Sequence, residues 1–372
     1  IEAIDGIESV KAVSAEWKIK DRWHDLTLQI SNSELKTKLL TSISTSSTQL
    51  LQQLSYVGII AAGAYSISQG NLTMGGLIAC SLISGRALTP LNKVPNLIVQ
   101  WKKAKIALDV LDGIMAMPSE QSAERSTVPD HCEGKIEISE MGFAYEANTV
   151  PVEVPKLQIN PGDRIAVLGA VGSGKSTLLK LLAGLYRPQD GKVFLDGVDM
   201  QLIAVEFLRE QIGYLPQEVR LFNGSLRENL VLGLPVLSDS QILAAASKTG
   251  LRSAIQGHPK GLDIMISEGG KGLSGGQRQL VGLTRMLLAN PKIIVLDEPT
   301  ASMDGALEEQ VLEHLFNGMD KNSVVVMATH KSGVMKHVNR IIVMENGKLA
   351  MDGPKEKVIE ELNRQIAARR SS

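Results

Sequence analysis

Eight residues constrain this chain more than any others: Gly169-Ala170-Val171-Gly172-Ser173-Gly174-Lys175-Ser176. They fit the pattern GxxxxGK[ST] without a departure. The apolar run at 164–168 predicts a short strand before them, and 177–185, opening at Thr177, has the pattern of a helix. A strand, a glycine-rich loop and a helix in that order make a cradle for phosphate. The glycines let backbone N–H groups turn toward phosphate oxygens, and the helix N-terminus adds favourable partial charge. Lys175 suits the β- and γ-phosphates of a nucleoside triphosphate, and Ser176 suits a magnesium ion.

The rest of the C-terminal part fits the same fold. Ile136-Glu137-Ile138 alternates as a strand does, and 292–296, 324–328 and 340–344 are apolar runs with helical segments between them. Strands alternating with helices predict an α/β domain around a largely parallel sheet. One of those runs, Ile293-Ile294-Val295-Leu296, delivers Asp297 and Glu298 at its end. Asp297 is placed to hold magnesium, directly or through water, and Glu298 to act as general base on an attacking water.

Charge distribution divides the chain. The 372 residues carry a net charge of -1, which gives no argument for nucleic acid, and 3% aromatic residues offer no base-stacking surface. Yet the 47 residues between Lys38 and Arg86 contain no Asp, Glu, Lys or Arg. As helix they would extend roughly 70 Å, enough for two bilayer cores and a turn. Gln69-Gly70-Asn71 is the natural turn, and Gly58, Gly63, Gly75 and Gly76 would permit close helix packing. Lys36 and Lys38 before the gap, and Arg86, Lys93, Lys102 and Lys103 after it, mark both ends as cytoplasmic. A soluble, Ser/Thr-rich helical hairpin is the competing reading, because 41–48 is rich in those residues. A kink is expected near Pro90 and Pro95. The chain opens at Ile1 inside a helical pattern, which suggests a fragment. Cys80 and Cys132 share no motif and read as unpaired apolar residues.

Between the phosphate loop and Asp297-Glu298 lies Leu273-Ser274-Gly275-Gly276-Gln277. With it, residues 135–365 resemble the nucleotide-binding domain of an ATP-binding-cassette transporter, whose signature segment this pentapeptide matches in full. The resemblance implies a P-loop NTPase fold, ATP and Mg²⁺ as cofactors, and a head-to-tail homodimer. ATP would lie between one copy's phosphate loop and the other copy's Ser274, Gly275 and Gly276, with Gln277 behind them. Gln217, in Tyr214-Leu215-Pro216-Gln217, matches the family's magnesium-sensing glutamine. His330, 32 positions after Glu298, matches its switch histidine, acting with Lys175 on developing charge. Asp304, in Ala301-Ser302-Met303-Asp304, matches the loop that links the two sites, where the commoner wording is Ser-Ala-Leu-Asp. Tyr145 matches the aromatic that stacks on adenine, with Phe143 as its competitor. Ser267-Glu268-Gly269-Gly270 resembles the exporter-specific contact to the membrane helices.

The front of the chain is similar to the same family. Residues 1–115 would be part of an all-α transmembrane domain: the end of a fourth helix, a coupling helix, then helices five and six, with Leu88-Thr89-Pro90-Leu91 at the exit. A linker at 116–134, the ATPase domain at 135–365 and a tail at 366–372 would follow. The wording around 272–286, 297–304, His330-Lys331 and Asp352-Gly353-Pro354-Lys355 most resembles permease-ATPases of bacterial type I secretion systems. That implies an ATP hydrolase of the inner membrane, its ATPase domain cytoplasmic, exporting protein with a membrane-fusion protein and an outer-membrane channel. A multidrug or lipid exporter is the alternative within the family. A soluble cassette ATPase of DNA repair or translation is the alternative outside it, disfavoured by the uncharged hairpin. A binding-only cassette is disfavoured by the intact catalytic positions.

Overall fold

The computed structural model describes residues 2–88, 90, 93–117, 119–120, 127–146 and 150–371. The chain forms two compact units that divide between Pro118 and Ser119.

The first unit is helical. Two short helices, α1 (Glu2–Asp5) and α2 (Ile7–Ala12), precede the 53-residue α3 (Glu16–Ser68). Between α2 and α3 the chain bends at Ser14, which takes a left-handed φ of 53°. At 1.5 Å per residue α3 is about 80 Å long. The uncharged run turns where the sequence suggests: α3 stops at Ser68, Gly70 adopts φ 73°, and α4 (Met74–Leu88) returns. A helix meeting Gly70 ends readily, because only glycine takes that conformation without steric cost. α3 and α4 pack closely at Gly63, where an added Cβ would come within 2.2 Å of Leu77 Cδ1. Gly58 and Gly75 face open space, and Gly76 lies against its own turn, beside Leu72 and Thr73. Of the four glycines that would permit close helix packing, Gly63 is the one at which α3 and α4 meet among the described residues. α5 (Val94–Met115) carries Pro95 in its first turn, where a missing N–H leaves no bond unmade. The expected kink there is instead a break between two helices. Thr89 and Leu91 of the expected exit segment lie outside the described residues. Large apolar side chains on α3–α5 remain exposed in this unit, among them Leu40, Ile43, Leu51, Leu54, Val57, Leu82 and Ile83. α3 is long and apolar enough to cross a membrane.

The second unit is built on one ten-stranded sheet with helices against it. In chain order its elements are β1 (Ile136–Phe143), β2 (Val152–Ile159), β3 (Arg164–Leu168), α6 (Lys175–Leu182), β4 (Asp190–Leu195), β5 (Val198–Asp199) and α7 (Val205–Gln211). There follow β6 (Ile212–Leu215), β7 (Gly224–Ser225), α8 (Leu226–Leu230), α9 (Asp239–Thr249), α10 (Leu251–Gln256), β8 (Met265–Ile266) and α11 (Gly275–Ala289). The last are β9 (Ile293–Asp297), α12 (Gly305–Gly318), β10 (Val324–Ala328), β11 (Arg340–Glu345), β12 (Lys348–Pro354) and α13 (Lys355–Ser371). The strand order is β5-β4-β1-β2-β12-β11-β3-β10-β9-β6, with β7 and β8 paired apart. β11, β3, β10, β9 and β6 run parallel, whereas β1, β2, β4 and β5 pair antiparallel. Every residue of β9 and β10 is buried, as expected of central parallel strands covered on both faces.

Arg340 locks the seam between the two sheet regions. Its guanidinium grips both oxygens of Asp352, donates to Asp163 Oδ2 at 2.9 Å and reaches the carbonyl of Gln158 at 2.8 Å. Part of the expected linker is docked on this unit. Glu120 pairs with Arg209, Thr127 bonds backbone to backbone with Leu202 and Ala204, and the Asp196 carboxylate accepts from the N–H groups of Glu133, Gly134 and Lys135. Residues 121–126 lie outside the described residues. The expected tail is continuous with α13, which runs to Ser371.

Candidate functional site

Four neighbouring strands, β3, β10, β9 and β6, end on the same edge of the sheet because all four are parallel. Adjacent strands lie about 4.8 Å apart, so the residues just past each end become neighbours. β3 delivers the 169–176 loop, β10 delivers Thr329-His330, β9 delivers Asp297-Glu298 and β6 delivers Pro216-Gln217. Residues up to 161 positions apart in the chain converge by topology alone.

The loop has the geometry of a cradle. Gly169, Gly172 and Gly174 have φ of 151°, 80° and 97°. At Gly169 an added Cβ would lie 2.3 Å from the backbone oxygen of Met344 and 2.5 Å from Ser173 Oγ. The loop is braced from behind by the β11–β12 turn, where Gly347 N–H donates to the Ser173 carbonyl at 3.1 Å. α6 begins with Gly174 at its N-cap, which supplies no capping side chain. Its first N–H groups thus stay available to an acceptor from outside the fold. Ser173 Oγ is buried without a hydrogen-bond partner among the described residues. Lys175 curls back over the loop, its ammonium donating to the carbonyls of Gly169 at 2.8 Å and Ala170 at 2.9 Å. Burial lowers the Lys175 pKa, opposed by Glu298 and Asp297. A lysine parked on carbonyls beside uncapped N–H groups suits a phosphate chain that takes both.

Asp297 is buried, and that burial raises its pKa, while a hydrogen bond from Ser176 works the other way. Asp297 and Ser176 therefore form an adjacent carboxylate–hydroxyl pair. Hard oxygen ligands of this kind suit Mg²⁺. Among the described residues no group of three or more His, Cys, Asp or Glu could hold a metal by itself.

Glu298 sits with φ 47°, a left-handed conformation unusual for a non-glycine residue. Its N–H donates to the carbonyl of Ala328 at 2.9 Å. Its two carboxylate oxygens are engaged separately. Gln217 Nε2 donates to Oε2 at 3.1 Å, and His330 Nε2 lies 3.2 Å from Oε1. Glu298, Gln217 and His330 are thus brought together beside the loop.

Tyr145 closes another side. Thr177 Oγ1 donates to its hydroxyl at 3.4 Å, joining it to the first turn of α6. Phe143 is buried in the core, whereas Tyr145 is half exposed and packs edge-on against Phe143 and Tyr186. Lys180 Nζ lies over both tyrosine rings, at 5.8 and 5.7 Å.

The 273–277 segment stands elsewhere. Ser274 is the N-cap of α11, and its hydroxyl accepts from Gln277 N–H at 3.2 Å while Gln277 Oε1 accepts from Ser274 N–H at 2.9 Å. Gly275 and Gly276 lie against Ser302. Among the described residues no hydrogen bond or ion pair joins this segment to residues 169–176. Asp304 caps α12, accepting from Leu307 N–H at 2.8 Å. Gly269 and Gly270, in the turn ahead of the segment, have φ of 74° and 80°.

Two residues to which the sequence reading gave no part in the site hold these parts in place. Gln279 is buried on α11; its amide accepts from Ser302 N–H at 3.1 Å and donates to the carbonyls of Glu298 at 3.3 Å and Gln217 at 3.5 Å. The available signal was a polar residue on an otherwise apolar helical face. Lys331 bonds the loop after Glu298, and its signal was only its place beside His330.

With this geometry in view, comparison with known proteins gives a consistent result. Residues 152–301 match the family model described as "ABC transporter", and residues 1–91 match "ABC transporter transmembrane region". The chain belongs to the ABC transporter family and pairs a P-loop ATP-binding domain with an N-terminal transmembrane region. Among curated relatives it is similar to the alpha-hemolysin translocation ATP-binding protein HlyB of Escherichia coli O157:H7, at 31% identity over 97% of this chain and 51% of that protein. It is also similar to the leukotoxin translocation ATP-binding protein LktB of Mannheimia glucosida, at 32% identity over 98% of this chain and 51% of that one. The chain therefore spans about half the length of the curated relatives it matches. Among solved structures, a bacterial Atm1-family ABC exporter with ATP bound shares the fold, with a TM-score of 0.89 at 24% identity over 100% of this chain and 65% of that one.

Proposed function

We propose that this chain is the ATP-hydrolysing part of a membrane exporter that works as a homodimer, each ATP held between the phosphate loop of one copy and the 273–277 segment of the other. The observation that carries the reading is the placement of Glu298, between Gln217 and His330 at the strand edge that also bears the phosphate loop. The separation of Ser274 from the loop of its own chain supports a site completed by a second copy.

ATP phosphates would replace the carbonyls that Lys175 now holds and would take the free N–H groups of the loop and of α6. Tyr145 would stack on adenine. Mg²⁺, held by Ser176 and Asp297 with Gln217 near, supplies neutralising charge to the phosphates when bound. Glu298 would accept a proton from the attacking water. Lys175 and His330 would stabilise the charge that develops, so that catalysis is positioning plus electrostatics. The helical unit would sit in the bacterial inner membrane with both ends of its hairpin cytoplasmic, as the end of a fourth helix, a coupling helix, and helices five and six. The relatives' names, which speak of alpha-hemolysin and leukotoxin translocation, support a protein cargo; its export would use a membrane-fusion protein and an outer-membrane channel.

Glu298→Gln tests the chemistry. It is expected to bind ATP with affinity within a few-fold of wild type and to lose about 100-fold or more in turnover, the usual worth of a general base. Wild-type turnover would remove Glu298 from the role. The cargo is tested by secretion from cells holding the whole transporter and its two partners: protein in the medium is expected, and efflux of a small apolar dye in its place would contradict the cargo assignment.

A further inference from the structure

The loop between Glu298 and α12 is short, and its conformation is demanding. It starts from the left-handed φ of Glu298 and turns through Ala301 N–H to the Glu298 carbonyl at 3.2 Å and Met303 N–H to the Thr300 carbonyl at 3.1 Å. Such a backbone persists only where its surroundings hold it. Gln279 holds one side. On the other side stands Lys331, the residue after His330.

An ammonium has three protons to give. Lys331 Nζ directs one at the Thr300 carbonyl at 2.7 Å, one at the Met303 carbonyl at 2.9 Å, and lies 3.1 Å from Glu308 Oε2. Glu308 is buried on α12, and its other oxygen accepts from Thr300 Oγ1 at 3.2 Å. Lys331 is fixed at its own backbone too, its N–H donating to the buried Thr329 Oγ1 at 3.0 Å. The arrangement spans three segments: the β10 end that carries His330, the loop that carries Glu298, and the first turn of α12. The same loop presents Ser302 to Gly275 and Gly276 at the start of α11.

We infer that Lys331 is a positioning residue for hydrolysis, whose ammonium ties the loop 300–303 to the strand end bearing His330 and so keeps Glu298 and His330 in register. Lys331 touches no reacting atom in this account, and its part rests on the reading of Glu298 as general base. A displacement of about 1 Å at a reacting group can cost on the order of 100-fold in rate. Lysine and arginine can both donate to two carbonyls and a carboxylate, whereas methionine keeps only the stem.

The test uses the full chain in detergent. Lys331→Met is expected to lower kcat about 10- to 100-fold while the KM for ATP stays within about twofold, and Lys331→Arg to recover at least a third of the lost rate. Because Lys331→Met strands the Glu308 carboxylate in the interior, the double variant Lys331→Met/Glu308→Gln separates folding from positioning. It is expected to regain the wild-type thermal midpoint but not the wild-type kcat. Recovery of kcat together with the midpoint would reduce Lys331 to a structural residue and overturn the proposal, as would an unchanged kcat in Lys331→Met. Glu298→Gln measured alongside keeps the two readings apart. If it turns over normally, the base assignment fails whatever Lys331 does; if it is inactive while Lys331→Met is not, only the positioning role fails.

Discussion

At Gly169 the site's tolerance is set by backbone contact. An added methyl would meet the Met344 oxygen and Ser173 Oγ well inside van der Waals distance, in a φ region hostile to alanine. Gly169→Ala is therefore expected to cost on the order of 2–4 kcal/mol of stability and to abolish ATP binding, read by chemical denaturation and by titration. Asp297 behaves differently. Burial raises its pKa, so the folded domain binds this proton more tightly than the unfolded chain does. Its contribution to stability is then lost as pH rises from the ordinary aspartate range through the raised value. Asp297→Asn should raise the thermal midpoint of the ATP-free domain at neutral pH while removing the magnesium dependence of ATP affinity; a lowered midpoint would contradict the assignment. Residues of this kind were legible in the sequence because phosphate and magnesium chemistry demands particular side chains at fixed offsets. Gln279 and Lys331 were not, because they act on backbone carbonyls and amides, which any sequence supplies.

Among the elements, α11 separates two jobs that one residue performs. Ser274 caps the helix and, in the proposed dimer, faces a phosphate. Aspartate caps a helix as well as serine does but brings a negative charge. Ser274→Asp is thus expected to keep the thermal midpoint within about 2 °C and to lose most of the turnover, whereas Ser274→Ala should cost about 1 kcal/mol of stability through the lost cap. In the hairpin, the turn at Gly70 was legible from local signals, since a glycine between two apolar runs has a purely local reason to be there. Which glycine packs was not, because that depends on the helix opposite: Gly63 meets Leu77, and Gly58 meets nothing within 4 Å. Gly63→Leu is expected to push α4 away from α3. Gln52 Nε2 on α3 lies 3.5 Å from the Gly85 carbonyl on α4, so in a background with Cys80→Ser and Cys132→Ser a short bis-maleimide bridge between cysteines at positions 52 and 85 should form with Gly63 and fall several-fold with leucine. Equal yields would place the helix contact elsewhere.

For the molecule as a whole, the phosphate loop, Asp297, Glu298, Gln217 and His330 meet because four parallel strands end together, and nothing in that convergence uses the helical unit. Both buried cores of the second unit draw only on residues 136–358, so residues 119–372 are expected to fold and bind ATP alone. In the proposed dimer each catalytic site takes its phosphate loop from one copy and its Ser274 from the other. Mixing two inactive variants, Lys175→Ala and Ser274→Asp, tests it directly. In a head-to-tail heterodimer both lesions fall in one site and leave the other intact. The mixture is expected to hydrolyse ATP well above the sum of the two variants measured separately. A mixture no more active than that sum would contradict it.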